Sequence, residues 1–340
     1  MTSREIVRRT LDFENPPRVA RTFAVEGPAG RGEGDTLWTG HNIKGRRTPW
    51  AEVGGGRWEM TDLWGNTWSR VDATSKGEAT SGIFDDPAAF ESYAWPDFTN
   101  PADFEPARKA RSEHPDKWIL GGLPGFPFSI VRTMQRLDVY LMNLLAEPEF
   151  IARVHDKVES LLADIIRNYG LAGCDAVMFG EDWGTQRGLF INPELFKREF
   201  LPRFERLCAV AHASGVRVFM HSCGQVEPIV PWLIDAGVDL FQFDQPELHG
   251  LDVLASHQKR ARVTFMCPVD IQKVLQTRDE KLIRAEARKM LDTLWKGRGG
   301  FIADCYGDNA SIGLSPEVQE WACDEFVKSG VEGRYSKSKR

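Results

Sequence analysis

The sequence predicts an α/β fold: a single (β/α)8 TIM barrel over residues 1–340, with an N-terminal Trp- and Gly-rich insertion near the barrel mouth. Three observations predict it. From about residue 118, short β-rich apolar runs alternate with longer stretches of helical period, the pattern of successive βα units around a parallel sheet. Those runs end in polar or Gly-containing turns, which a barrel gathers on one face. The length, 340 residues, suits one barrel carrying an insertion.

The strand candidates are Trp118–Gly121, Ala176–Phe179, Val216–Met220, Leu240–Phe243, Val263–Met266 and Gly300–Ala303, with an earlier one over Val19–Val25. Helices announce themselves between them. Asn192 as N-cap and Pro193 at the first helical position precede Leu195, Phe196, Phe200, Phe204 and Leu207 on one face, with Pro202 placed to bend the helix. Pro148 opens a run bearing Ile151, Val154, Val158, Leu161 and Ile165, and Pro316 follows Ser315 before Val318, Trp321 and Phe326. The tract 26–80, rich in Gly, charge and Trp (Trp38, Trp50, Trp58, Trp64, Trp68), reads as an insertion: a lid or a small packed subdomain.

Composition excludes some partners. A net charge of -6, with the one basic run confined to Lys337–Arg340, argues against nucleic acid or an anionic membrane surface. No run approaches the ~20 apolar residues that span a bilayer, and Met1-Thr2-Ser3-Arg4-Glu5 lacks an apolar signal core, so the expected location is cytoplasmic. There, six cysteines without short-loop spacing read as free thiols or ligands rather than disulfides.

The chemistry concentrates at strand ends. Side chains at i and i+2 of a strand share a face, so His221 and Cys223 of His221-Ser222-Cys223-Gly224 form a two-ligand element suited to zinc. A catalytic zinc takes a third protein ligand. Cys305 after the last strand, Cys267 at the end of the preceding one, and Glu247 after the strand between those of His221 and Cys267 are the candidates, with Cys305 favoured. Asp182, Gln186, Asp244, Asp270 and Asp308, with Trp183 and Tyr306 beside them, fall on the same face as candidates to bind substrate or support His221; helix capping is the competing role for the aspartates.

These segments, together with Thr2-Ser3-Arg4-Glu5, Asn15-Pro16-Pro17-Arg18-Val19, Gly180-Glu181-Asp182-Trp183-Gly184 and Gly299-Gly300-Phe301-Ile302, resemble the uroporphyrinogen decarboxylase superfamily. Within it the chain is most similar to the zinc-dependent cobalamin methyltransferases of the methylcobalamin:coenzyme M methyltransferase kind. The resemblance implies zinc on His221, Cys223 and Cys305, with Glu247 placed to take the open position in the absence of substrate. It implies methyl transfer between cobalamin and a thiol or an O- or N-methyl substrate. No Asp-x-His-x-x-Gly segment occurs, so the cobalamin is expected on a separate corrinoid protein or free.

Two other functions compete. In a porphyrinogen decarboxylase an Arg-Gln-Ala-Gly-Arg element grips carboxylates; here Arg21-Thr22-Phe23-Ala24-Val25-Glu26 stands in its place, and the thiol and imidazole pattern would have no purpose. A non-catalytic barrel that binds a small molecule is the third reading, since fold does not fix function.

Overall fold

The computed structural model describes residues 1–27, 30–32, 34–73 and 75–335, and the side chains of 25–33 lie outside the description. The basic run Lys337–Arg340 therefore falls outside it. Eight parallel strands form the main sheet: β1 (Ala20–Arg21), β2 (Thr36–Thr39), β3 (Trp118–Gly122), β4 (Ala176–Gly180), β5 (Arg217–His221), β6 (Leu240–Gln242), β7 (Thr264–Cys267) and β8 (Phe301–Ala303). Each of β2 to β8 pairs with its sequence neighbour, and β8 returns to pair with β1. The result is a nearly closed barrel with helices between the strands.

The seam between β1 and β2 is drawn together by Asp35. Its N–H donates to the Arg21 carbonyl at 2.8 Å, and its carboxylate accepts from the Arg21 N–H at 3.0 Å and from Arg18 at 2.6 and 2.7 Å. Burial would raise the Asp35 carboxyl, but the Arg18 guanidinium holds it below its ordinary value.

Alternation along the strands sorts the core into two layers. Ala20, Trp118, Leu120, Ala176, Met178, Phe219, Leu240, Met266 and Ile302 fill the barrel interior, plugged from below by Ile6, Val7 and Leu11 of the helix Ser3–Leu11. The intervening residues Ile119, Val177, Phe179, Val218, Met220, Phe241, Phe265, Cys267, Phe301 and Ala303 face the surrounding helices. This parity continues past the strand ends and decides what reaches the mouth.

The six later strands form where the apolar runs predict them, shifted by a residue or two. Asn192 caps its helix by accepting from the Glu194 N–H at 2.8 Å, and the helix breaks at Phe200 into Pro193–Glu199 and Leu201–Ala213, as Pro202 without its N–H requires. The tract 26–80 divides differently from expectation, because Thr36–Thr39 within it is a barrel strand paired with Trp118–Gly121. What is inserted is an antiparallel meander, Thr48–Gly54, Arg57–Thr61, Thr67–Arg70 and Glu78–Ser81. Its tryptophans hold it together. Arg70 lies over the Trp50 and Trp58 rings at 4.3 and 5.3 Å, and Trp68 Nε1 donates to Asp62 at 2.9 Å.

Candidate metal centre

Interior parity carries three residues to the C-terminal mouth beside one another. On β5, Phe219 points inward, so His221 does too, and Cys223 follows two residues later. On β4, Met178 points inward, and Asp182 lies four residues on with the same parity. One ligand atom from each of Asp182, His221 and Cys223 lies within 4.8 Å of the others, the one such group among the described residues. His221 Nε2 stands 3.3 Å from Cys223 Sγ and 3.5 Å from Asp182 Oδ1. Ligands at the edges of a tetrahedron around zinc, with bonds of ~2.0–2.3 Å, lie roughly 3.3–3.8 Å apart, which matches.

The loops after β4 and β5 are pressed together to make this possible. Gln225 N–H donates to the Thr185 carbonyl at 2.7 Å, and a Cβ on Gly224, at φ +78°, would sit 2.2 Å from the Gly184 carbonyl oxygen. Glycine is required there. The approach sets Asp182 Oδ1 2.9 Å from the Cys223 N–H it accepts from.

Behind the cluster lies a polar relay. His221 and Gln242 are register partners on β5 and β6, and His221 Nδ1–H donates to Gln242 Oε1, which in the neutral imidazole places the lone pair on Nε2, toward the cluster. Gln242 Nε2 donates in turn to Asp244 Oδ1 at 2.8 Å and Asp304 Oδ2 at 3.0 Å. Asp304 also accepts from Thr22 Oγ1. Burial raises the Asp304 carboxyl. The Cys223 thiol is pushed up to about 12 by burial and by the Asp182 and Asp244 carboxylates. The pocket is electronegative, and a divalent cation placed there would reverse that shift and hold a thiolate.

Several expected site residues lie elsewhere, mostly for reasons of parity. Ile302 faces inward, so Asp304 does, and Cys305 turns outward to the helix Pro316–Ser329, where its Sγ–H donates to Gln319 Oε1 at 3.4 Å. Cys305 is thus outside the cluster. Cys267, fully buried, faces the helix layer with Phe265. Glu247 sits on the short helix Pro246–His249, pairs with Lys289 at 2.9 Å and adjoins Glu286, whose carboxyl is raised to about 7 by burial and by Glu247.

Trp183 has outward parity and is fully buried, stacked on Phe128 at 4.0 Å and flanked by Phe196 and Phe200. It is a core residue. Asp270 is 1% exposed and accepts from the Gln272, Lys273 and Glu247 N–H groups, the capping role weighed against substrate contact. Asp308 caps its own turn through the Ser311 N–H, and Gln186, exposed, donates to Gln245 Oε1 at 3.0 Å. Asp182, Asp244 and Tyr306 remain around the mouth.

Four residues were missed. Gln242 and Asp304 form the relay, and strand parity could have found both. Lys76, from the meander's last connection, reaches Tyr306 Oη at 3.5 Å; burial would lower its ammonium, but Tyr306, Cys223 and Asp244 outweigh this and raise it. Nothing in its sequence surroundings signals that reach. Glu181, fully buried, accepts from the Phe128 and Ser129 N–H groups at 3.1 and 2.8 Å and so caps the helix Pro127–Met134 from the end of the neighbouring strand. Between meander and barrel, a cavity of about 340 Å³ lined by Met60, Trp68, Leu123, Arg132 and Asp182 opens beside the cluster.

Fold and site together define a (β/α)8-barrel protein with a His, Cys and Asp cluster at the catalytic end of its strands. A sequence model of the uroporphyrinogen decarboxylase (URO-D) family matches residues 79–330, well over half of the chain, and the protein belongs to that family. No curated protein matches the sequence. Among solved structures, a methyltransferase from Methanosarcina mazei is similar at 15% identity and a TM-score of 0.52, over 66% of this chain and 63% of that one, under two thirds of its length. A B12-independent methionine synthase from Shewanella sp. W3-18-1 is similar at 12% identity, 78% and 70% coverage and a TM-score of 0.46. At these identities the likeness is one of fold. No described helix is long and apolar enough to cross a membrane.

Proposed function

We propose that the protein is a zinc-dependent methyltransferase that moves a methyl group between cobalamin and a thiol or an O- or N-methyl substrate. The observation that carries the reading is the arrangement of Asp182, His221 and Cys223: nitrogen, sulfur and oxygen donors at tetrahedral spacing, with the His221 tautomer fixed by Gln242. Asp182 takes the third ligand position assigned by resemblance to Cys305. A zinc ion held there would supply Lewis acidity, lowering the pKa of a bound thiol or polarising a methyl-bearing heteroatom.

The chain's own residues do the rest. Gln242 keeps the Nδ1 proton of His221 engaged, so Nε2 stays a lone-pair donor. The meander borders the mouth, with Met60 and Trp68 lining the cavity beside Asp182, and Lys76 and Tyr306 meet at its edge, where they would position substrate. Cobalamin would be presented by a separate corrinoid protein or as the free cofactor. A URO-D-type decarboxylation would leave the donor cluster without a role.

The test is metal content by elemental mass spectrometry, followed by methylcobalamin absorbance with a panel of thiols and methyl donors. Near-stoichiometric zinc in the native protein, lost in Cys223→Ser and Asp182→Asn, and a spectral change with one of the substrates are expected. Protein purified under zinc-replete conditions without bound metal would refute the reading, and uroporphyrinogen consumption would establish the decarboxylase in its place.

A further inference from the structure

The outward turn of Cys305 brings it to a second thiol. Gln319, which accepts from Cys305 Sγ and from the Tyr306 N–H at 2.7 Å, stands four residues before Cys323 on the helix Pro316–Ser329, so both occupy one helix face. Cys305 and Cys323 are side-chain neighbours and line the same cavity of about 480 Å³, whose other walls include Phe23, Asn309 and Val327. Both thiols are half-exposed, whereas Cys174, Cys208 and Cys267 are buried. The pair lies outside the metal cluster and takes no part in the proposed reaction.

We propose that Cys305 and Cys323 form a dithiol site that exchanges with small disulfides and closes to an intramolecular cystine. In the first step the Cys305 thiolate attacks one sulfur of the small disulfide; that S–S bond breaks and one small thiolate leaves, taking up a proton. In the second, the Cys323 thiolate attacks Cys305 Sγ and expels the other small thiol. The two cysteines are oxidised by two electrons, and the small disulfide is reduced to two thiols. The two sulfurs must come to a bond of about 2.05 Å, which half-exposed side chains on a loop and a helix face can do by rotation about χ1.

The asymmetry of the pair suits these roles. The neighbouring Cys323 lowers the Cys305 thiol, against burial and the nearby Asp304 and Glu320 carboxylates, while Cys305 and burial raise Cys323. The cystine would tie the loop after β8 to the last long helix. Because Asp304 directly precedes Cys305 and holds Gln242, the tie would be felt in the relay behind His221.

The experiment treats the full-length native protein with glutathione disulfide, blocks remaining thiols with N-ethylmaleimide and maps peptides by mass spectrometry. Expected is a Cys305–Cys323 linked peptide pair lighter by two hydrogen atoms, reversed by dithiothreitol. In Cys323→Ser, Cys305 should retain a stable glutathione adduct. Alkylation of Cys305 and Cys323 by N-ethylmaleimide in untreated protein is the control for reagent access. Cys305 and Cys323 both still alkylated after glutathione disulfide, or separate adducts on the two without a link, would overturn the proposal.

Discussion

Gln242→Met removes the amide and keeps the side-chain length, which separates the relay from the ligands themselves. The amide makes three bonds: it accepts from His221 Nδ1–H and donates to Asp244 at 2.8 Å and Asp304 at 3.0 Å. Loss of a partner that orients a ligating histidine weakens metal affinity about 10–100-fold, equivalent to roughly 1.4–2.8 kcal/mol of binding. Separately, the half-buried Asp304 carboxylate loses one of its donors, at a cost of about 1–3 kcal/mol of folding stability. The two effects are measured apart. Competition against a chromophoric zinc chelator gives affinity, and urea unfolding in excess chelator gives the stability of the metal-free chain. A folded Gln242→Met protein with native zinc affinity would refute the role assigned to the relay.

Cys305→Ser should keep its full complement of zinc while Cys223→Ser loses it; equal loss from both, by elemental analysis, would return Cys305 to the ligand set. Trp183→Ala should destabilise the fold by about 3–5 kcal/mol in denaturant titration, as expected of a buried aromatic and not of a substrate contact. Burial raises the Glu181 carboxyl to about 8 from an ordinary 4.5, so its contribution to stability is complete below pH ~4.5 and is lost as pH rises toward 8. In Glu181→Gln that component disappears, and an unchanged difference between urea midpoints at about pH 5 and about pH 8 would contradict it. Asp62 accepts from the Trp64, Gly65 and Asn66 N–H groups and from Asn66 Nδ2 and Trp68 Nε1, all at 2.9–3.0 Å. Asp62→Ala should loosen the meander and speed limited proteolysis within 48–81, with cleavage unchanged if those bonds contribute little.

The parts of the molecule that were legible in the sequence are those where an apolar run is long enough to declare its period. Trp118–Gly122, Ala176–Gly180 and Arg217–His221 are five residues each and flanked by helices with proline in the first turn. Thr36–Thr39 was missed because its neighbours are Gly and charge, and it earns its place by pairing with β3, a tertiary fact. His221 and Cys223 were legible because alternation holds over two residues at a strand end. Cys305 and Trp183 were misplaced because strand-end position was taken as enough. Counting parity from Ile302 and Met178 would have sent both outward and brought Asp304 in beside Asp182. Glu247 lies beyond the reach of either rule, on a short helix where its side chain pairs with Lys289 and adjoins Glu286.

The pairing of β1 with β8 carries a consequence for how the chain is made. Thr22 and Asp304, bonded across those strands, are 282 residues apart, so the first strand waits for nearly the whole polypeptide before it finds its ladder. A ribosome delivers β2 to β7 as a growing parallel sheet with an open edge, and ring closure comes last, at the entropic cost of a very long loop. Asp304 directly follows that closing strand. The relay behind His221 is therefore assembled in the same event that seals the barrel, and a chain stalled short of β8 would expose a sticky edge and hold an unsupported imidazole.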